Sequence, residues 1–297
     1  MKTLTRHLLI SSIAVSGLLI CELSIAKSAV WLVSKGDKYI YIAGSIHVLP
    51  PKEIPLPAEF NQAYHLADTL VLEANMPAPS NSSAQLTMLK ALSYPAGETL
   101  SGKLTAHVKQ RLEEQLNRYD MQLSEFDSFR PFMVGLLMMS LELKKQSLLG
   151  EGVDSYLTKL AKKDSKKLAY LESLAYQLHL FKELGSQNEN AFIESQLTQI
   201  SRYQHDYIAM LAAWRNGNMR AMNELIIMPL KEHDPHTYQI LIKQRNLNWL
   251  NHIEHYLTDQ QKELVVVGVA HLAGEDSLLA LLKNKGYEIK QLNTDEE

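Results

Sequence analysis

The same short pattern closes an apolar strand near each end of the chain. Ile42-Ala-Gly44-Ser45-Ile-His47 stands near the start, and Val267-Gly268-Val-Ala-His271 near the end. Each is a β-prone run, then Gly-x-x-His, then aliphatic residues. The two histidines are 224 positions apart (271 − 47). A glycine at a strand end lets the backbone turn sharply or approach a neighbour closely. A histidine three residues on then projects from the loop at the sheet edge, where ligands of α/β proteins bind. Two such strands in one sheet can aim both imidazoles at one point. The repeat therefore predicts a sheet to which both ends of the chain contribute.

The remaining pattern agrees with that placement. Ala29–Val33 and Lys38–Ala43 flank a Gly-Asp turn and predict a β-hairpin. Ala58–Asp68 reads as a helix, Thr69–Asn75 as a strand and Pro77–Ser83 as an exposed loop. From about 101 to 165 the apolar spacing is helical. Its segment Pro131–Leu141 carries no charge, too short to span a bilayer, and predicts a buried helix or an interaction surface. Lys167–Glu172 reads as a strand, and residues 174–257 as helical with breaks at Pro229 and Pro235. The C-terminus returns to strand Glu263–Gly268, helix Gly274–Lys285 ended by Gly286, and strand Tyr287–Leu292. The class is α+β: a mixed sheet of N- and C-terminal strands with a large helical insertion, about 101–257, in one domain spanning 27–297.

Lys2 and Arg6 precede a 13-residue apolar run, Leu8–Ile20, shorter than the roughly 20 residues of a transmembrane helix. Ser24-Ile-Ala26 then offers small residues, so residues 1–26 read as a signal peptide cleaved after Ala26. A lipid anchor on Cys21 is disfavoured by bulky Ile20, and an uncleaved anchor is the plain alternative. Export to the periplasm or beyond follows from this reading. Cys21 is the only cysteine, and removing Lys2, Arg6 and Glu22 with it takes the net charge from −3 to −4. No thiol nucleophile, disulfide framework or cysteine-based zinc site remains. The charge balance argues against a nucleic-acid partner. No stable membrane span is expected in the mature chain.

Two carboxylates stand beside the histidines in this logic. Glu73 and Glu172 each follow directly on an apolar strand, where a charge must be solvated, paired or liganded. Two histidines and two glutamates at strand ends suit a divalent metal that polarises a carbonyl or activates water. The thiol-free donor set admits Mn, Co, Fe or Zn. The pair His252 and His255 lies on one helix face, but its polar surroundings fit a solvated helix end. His233 and His236 flank Pro235 in a loop.

Five blocks in order resemble the TraB/GumN family, related to the Tiki-type metalloproteases. They are Gly44-Ser45-Ile-His47; Val71-Leu-Glu73; Gly152-Val-Asp154 with Lys167–Glu172 and Gln177; Arg245-Asn246 with Trp249; and Val267-Gly268-Val-Ala-His271-Leu-x-Gly274 with Leu278–Tyr287. The resemblance implies a Tiki/erythromycin-esterase-like fold and an exported metal-dependent hydrolase acting on peptides or proteins, with Mn or Co favoured. His47, Glu73 and His271 would be metal ligands. Glu172 would be a general base or a fourth ligand, Arg245 would hold a substrate carboxylate or an oxyanion, and Asn246 would donate a second hydrogen bond. Asp154 opens a helix and is as well placed for a cap as for the site. Ser45 lacks a Gly-x-Ser-x-Gly elbow and reads poorly as a nucleophile. The alternative is a binding protein of the same fold that holds haem, a metal or a peptide without turnover. A structural protein using the 131–141 face is the blander reading.

Overall fold

The computed structural model describes residues 27–77, 80–258 and 260–293. The signal-peptide reading, its cleavage after Ala26 and Cys21 lie outside the described residues. Strands β1 (Val30–Lys35) and β2 (Lys38–Ser45) form the expected hairpin, paired antiparallel, with Gly36 at φ +65° in its turn. Helix α1 (Ala58–Leu66) leads into β3 (Thr69–Leu72). Four helices follow: α2 (Ser82–Ala91), α3 (Ala106–Asn117), α4 (Pro131–Lys145) and α5 (Val153–Lys163). After β4 (Lys167–Tyr170) come α6 (Leu174–Glu183), α7 (Glu189–Ile200) and α8 (Tyr203–Arg215). The short helices α9 (Met219–Met222), α10 (Met228–His233) and α11 (Pro235–Tyr238) precede α12 (Gln244–Tyr256). Strand β5 (Glu263–Gly268), helix α13 (Leu278–Asn284) and β6 (Glu288–Gln291) close the chain.

One sheet holds six strands in the order β4-β3-β5-β2-β1-β6. Both ends of the chain meet in it, as the repeated motif predicts. The neighbours β4, β3, β5 and β2 are parallel, whereas β1 runs antiparallel to β2 and to β6. A parallel set needs cover on both faces. That is why β3 and the body of β5 are continuous apolar runs, Leu70–Leu72 and Leu264–Val267, all buried. Each such side chain contributes about 1.5–3 kcal/mol by leaving water. The α+β class with a mixed sheet is the architecture observed.

The helical stretch is divided between two cores. Leu100, Leu112, Leu116, Val134, Met138 and Ile193 form a cluster of their own among α3, α4 and α7. The charge-free 131–141 segment is thus mostly packed, with only Leu136 of its large apolar side chains exposed. Trp214 of α8 and Trp249 of α12 instead pack into the sheet core. The expected break at Pro235 is present, since α10 ends at His233 and Pro235 opens α11, where the first turn has no use for the missing N–H; Pro229 instead lies in the first turn of α10. Strand β3 stops at Leu72, ahead of Asn75, as the chain turns Glu73 inward. Helix α13 starts late, at Leu278, because the Ser277 hydroxyl caps the Ala280 N–H at 3.2 Å. Among the described residues, no helix is long and apolar enough to cross a membrane.

Candidate active site

The four parallel strands end on one side of the sheet, and each end delivers a polar group. From β4 outward to β2 these are Glu172, Glu73, Gly268 with His271, and Ser45 with His47. Close packing fixes the turns. A Cβ at Gly44 would meet Val269 of the other Gly-x-x-His turn at 2.9 Å, so the two motifs lie against each other. A Cβ at Gly152 would run into the His47 carbonyl, so this glycine lets α5 begin directly under the His47 loop. The Trp214 indole donates to the Gly44 carbonyl at 2.7 Å and holds the end of β2 from the helical side.

Helix α5 brings Asp154 to His47. The Asp154 Oδ1 lies 3.0 Å from His47 Nδ1 and accepts from the Ser45 hydroxyl at 2.8 Å. Asp154 follows the N-cap Gly152 in the first turn of α5, and its carboxylate meets its own backbone N–H as well as Ser45 and His47. A carboxylate only accepts, so Nδ1 carries a hydrogen, and loss of a proton from the ring falls on Nε2. Burial lowers the His47 pKa, but the Asp154 charge and hydrogen bond and the Glu73 charge outweigh it and raise the value to about 9. The ring is still 63% exposed, which leaves it open to a ligand.

Helix α12 supplies the counter-charge. Its Arg245 fork faces Glu172, with Nε donating to Oε2 at 3.2 Å and an Nη to Oε1 at 2.7 Å. The same Nη donates to Glu73 Oε2 at 2.5 Å. The other Nη donates to His271 Nε2 at 3.2 Å. Glu73 also accepts from the Gly268 N–H at 2.7 Å and from Gln177 Nε2 at 3.3 Å. Burial raises the Glu73 pKa, but Arg245, then His271 and His47, pull it down to about 2. Glu172 goes the other way: burial raises it, and Arg245 only partly compensates.

His271 is set as a neutral acceptor. Asn246 donates through Nδ2 to the Asp276 carbonyl at 2.8 Å, which fixes its amide, and its Oδ1 accepts from His271 Nδ1 at 2.7 Å. Nε2 is therefore unprotonated, and burial, aided by Arg245, lowers the His271 pKa to about 3. Trp249, one turn beyond Arg245, closes the cluster. Its indole N–H donates to Glu172 Oε2 at 3.0 Å, and its ring stands 4.5 Å from the His271 ring centroid.

All ten residues singled out from the sequence lie at these strand ends or on α5 and α12 beside them. Gln177 and Trp249 were only motif matches, and their contacts join them to the site. The cavities of about 420 Å³ lie elsewhere; one borders the His271 turn at Leu272 and Gly274 but includes none of the site residues.

His47, Glu73 and His271 are the right donor types for a divalent ion. Their arrangement does not fit one. The guanidinium of Arg245 donates to two of the three, at His271 Nε2 and at Glu73 Oε2, while Glu73 Oε1 already accepts from the Gly268 N–H. His271 Nε2 and Glu73 Oε1 stand 3.9 Å apart. Among the described residues, no three His, Cys, Asp or Glu side chains close into an ion cage.

Comparison with known proteins places the chain in context. It is 24% identical over 256 residues to the "Uncharacterized protein YbaP" of Escherichia coli (strain K12), covering 86% of this chain and 92% of that one. The same figures hold for the YbaP protein of Shigella flexneri. No solved structure matches. The sequence model of the TraB/PrgY/gumN family matches residues 29–291, which takes in every strand and every site residue, and the chain belongs to that family.

Proposed function

We propose that the chain is an exported hydrolase that cleaves peptide bonds by direct attack of water. The observation that carries this reading is the Ser45–Asp154–His47 relay, which fixes the Nδ1–H of an accessible imidazole so that Nε2 is the nitrogen freed as pH rises toward the His47 pKa of about 9. His47, in its deprotonated form, takes a proton from water on Nε2 as the oxygen attacks the carbonyl carbon. The imidazolium so formed then gives that proton to the leaving amine. Asp154 holds the tautomer and balances the charge throughout. Arg245 stands beside it with one Nη committed to no charged group, only to neutral His271 and the Leu241 carbonyl, contacts it can exchange for the developing oxyanion. Glu172 and Glu73 fix the guanidinium, so in this reading they orient rather than abstract protons.

A second reading keeps the divalent ion on His47, Glu73 and His271. Three carboxylates, Glu73 and Glu172 on Arg245 and Asp154 on His47, exceed the two cationic partners by one charge, and that surplus favours a cation. It requires Arg245 to leave His271. In that case the ion would supply Lewis acidity toward the carbonyl and the bound water.

Incubation of the purified mature chain with a mixed peptide library, read by mass spectrometry, tests the first reading. Cleavage by wild type and a loss of about a hundredfold or more in His47→Ala and in Asp154→Asn are expected. Cleavage that survives in His47→Ala contradicts it.

A further inference from the structure

We infer that Trp249 is a positioning residue that aims Arg245 through Glu172. The inference rests on the hydrolytic reading for its kinetic consequence, but not for its structural one. Trp249 is 1% exposed, and a residue needed only to fill that space requires no polar atom. Its indole N–H nevertheless ends on Glu172 Oε2 at 3.0 Å, the oxygen that also accepts from Arg245 Nε. Its ring lies under the guanidinium, with Arg245 Cζ 4.4 Å from the centroid. The spacing explains both contacts. Residues 245 and 249 are i and i+4 on α12, one above the other on the same helix face. One side chain therefore sets two coordinates of Arg245: the ring fixes the height of the guanidinium plane, and the N–H fixes the carboxylate that the fork grips.

The consequence falls on the remaining nitrogen. With Nε and one Nη held by Glu172, the fork has a single orientation, and the other Nη must face His271 and the Gly-x-x-His turns. A carboxylate without its indole partner keeps its charge but gains torsional freedom. The guanidinium then follows it, and displacement of a stabilising group by about 1 Å is enough to lower a rate on the order of a hundredfold.

Trp249→Phe keeps the ring and removes the N–H. In ¹⁵N NMR of the full mature chain, the Arg245 Nε–H, assigned by its absence in Arg245→Lys, should exchange slowly in wild type. It should exchange about tenfold faster or more in Trp249→Phe. On a cleaved peptide, kcat should fall by about tenfold or more with KM within about twofold. Adding Glu172→Gln should lower kcat no further, whereas independent effects would multiply. Multiplying effects, or unchanged Nε–H exchange in Trp249→Phe, would overturn the inference. If Trp249→Phe does not fold, Glu172→Gln alone, with the indole in place, must release the same proton, and slow exchange there overturns it too. Absence of any peptide cleavage sinks the hydrolytic reading while the exchange result still decides the role of Trp249.

Discussion

Replacing Arg245 by Met should be the most costly single change in the site. The Arg245 side chain is 5% exposed, and its two carboxylate partners, Glu73 and Glu172, are 10% and 5% exposed. Removal of one partner from a buried pair costs about 3–5 kcal/mol, because the other charge stays buried and unpaired. Here one guanidinium serves two carboxylates, so the upper part of that range is expected, against a total stability of about 5–15 kcal/mol. Methionine retains most of the stem volume, so little of the loss is a cavity effect. Urea unfolding of wild type and Arg245→Met at neutral pH measures the difference. Without the cation, both carboxylates are pushed toward protonation, so the gap should narrow as pH falls toward 5. Adding Glu172→Gln to Arg245→Met should recover part of it. A loss under about 1 kcal/mol, or a gap independent of pH, would refute the claim that this cluster is held by charge.

Other consequences are open to simpler measurement. The folded state binds a proton on His47 up to about 9, so its contribution to stability is complete below 6.5 and lost as pH rises through 9. His271 refuses a proton down to about 3, so its contribution is lost as pH falls from 6.5 toward 3. Melting curves across pH should therefore show His47→Ala flattening the alkaline limb and His271→Ala the acid limb. Gly152→Ala places a methyl group against the His47 carbonyl; it should cost about 1–3 kcal/mol in urea unfolding and lower peptide cleavage with it. If His47 is the base, kcat should rise with pH across the neutral range and level near its pKa.

The sheet was legible because its strands are short apolar runs with a chemical event at each end. Gly-x-x-His in two places, and a glutamate where a further apolar residue was due, mark positions that burial alone does not explain. Glu172 and Arg245 were legible one by one. Their bidentate pairing was not, since no local spacing links a strand end at 172 to a helix at 245. Asp154 was ambiguous for the same reason: an acid in the first turn of a helix fits a cap until the His47 loop is seen packed over Gly152. Trp249 carried a signal, four residues after Arg245 on one helix face, that an aromatic core residue shares. The division of the helical stretch between two cores depends on which faces meet, and periodicity gives only that a face exists.

Either Arg245 or a divalent ion supplies the positive charge beside His271. Metal analysis of the purified chain, wild type beside His47→Ala and His271→Ala, decides this when paired with peptide cleavage after exhaustive chelation. The expected result is no stoichiometric metal in any of the three and undiminished cleavage by chelated wild type. One equivalent of metal in wild type, lost in both variants, together with cleavage restored only by Mn, Co or Zn, would contradict it.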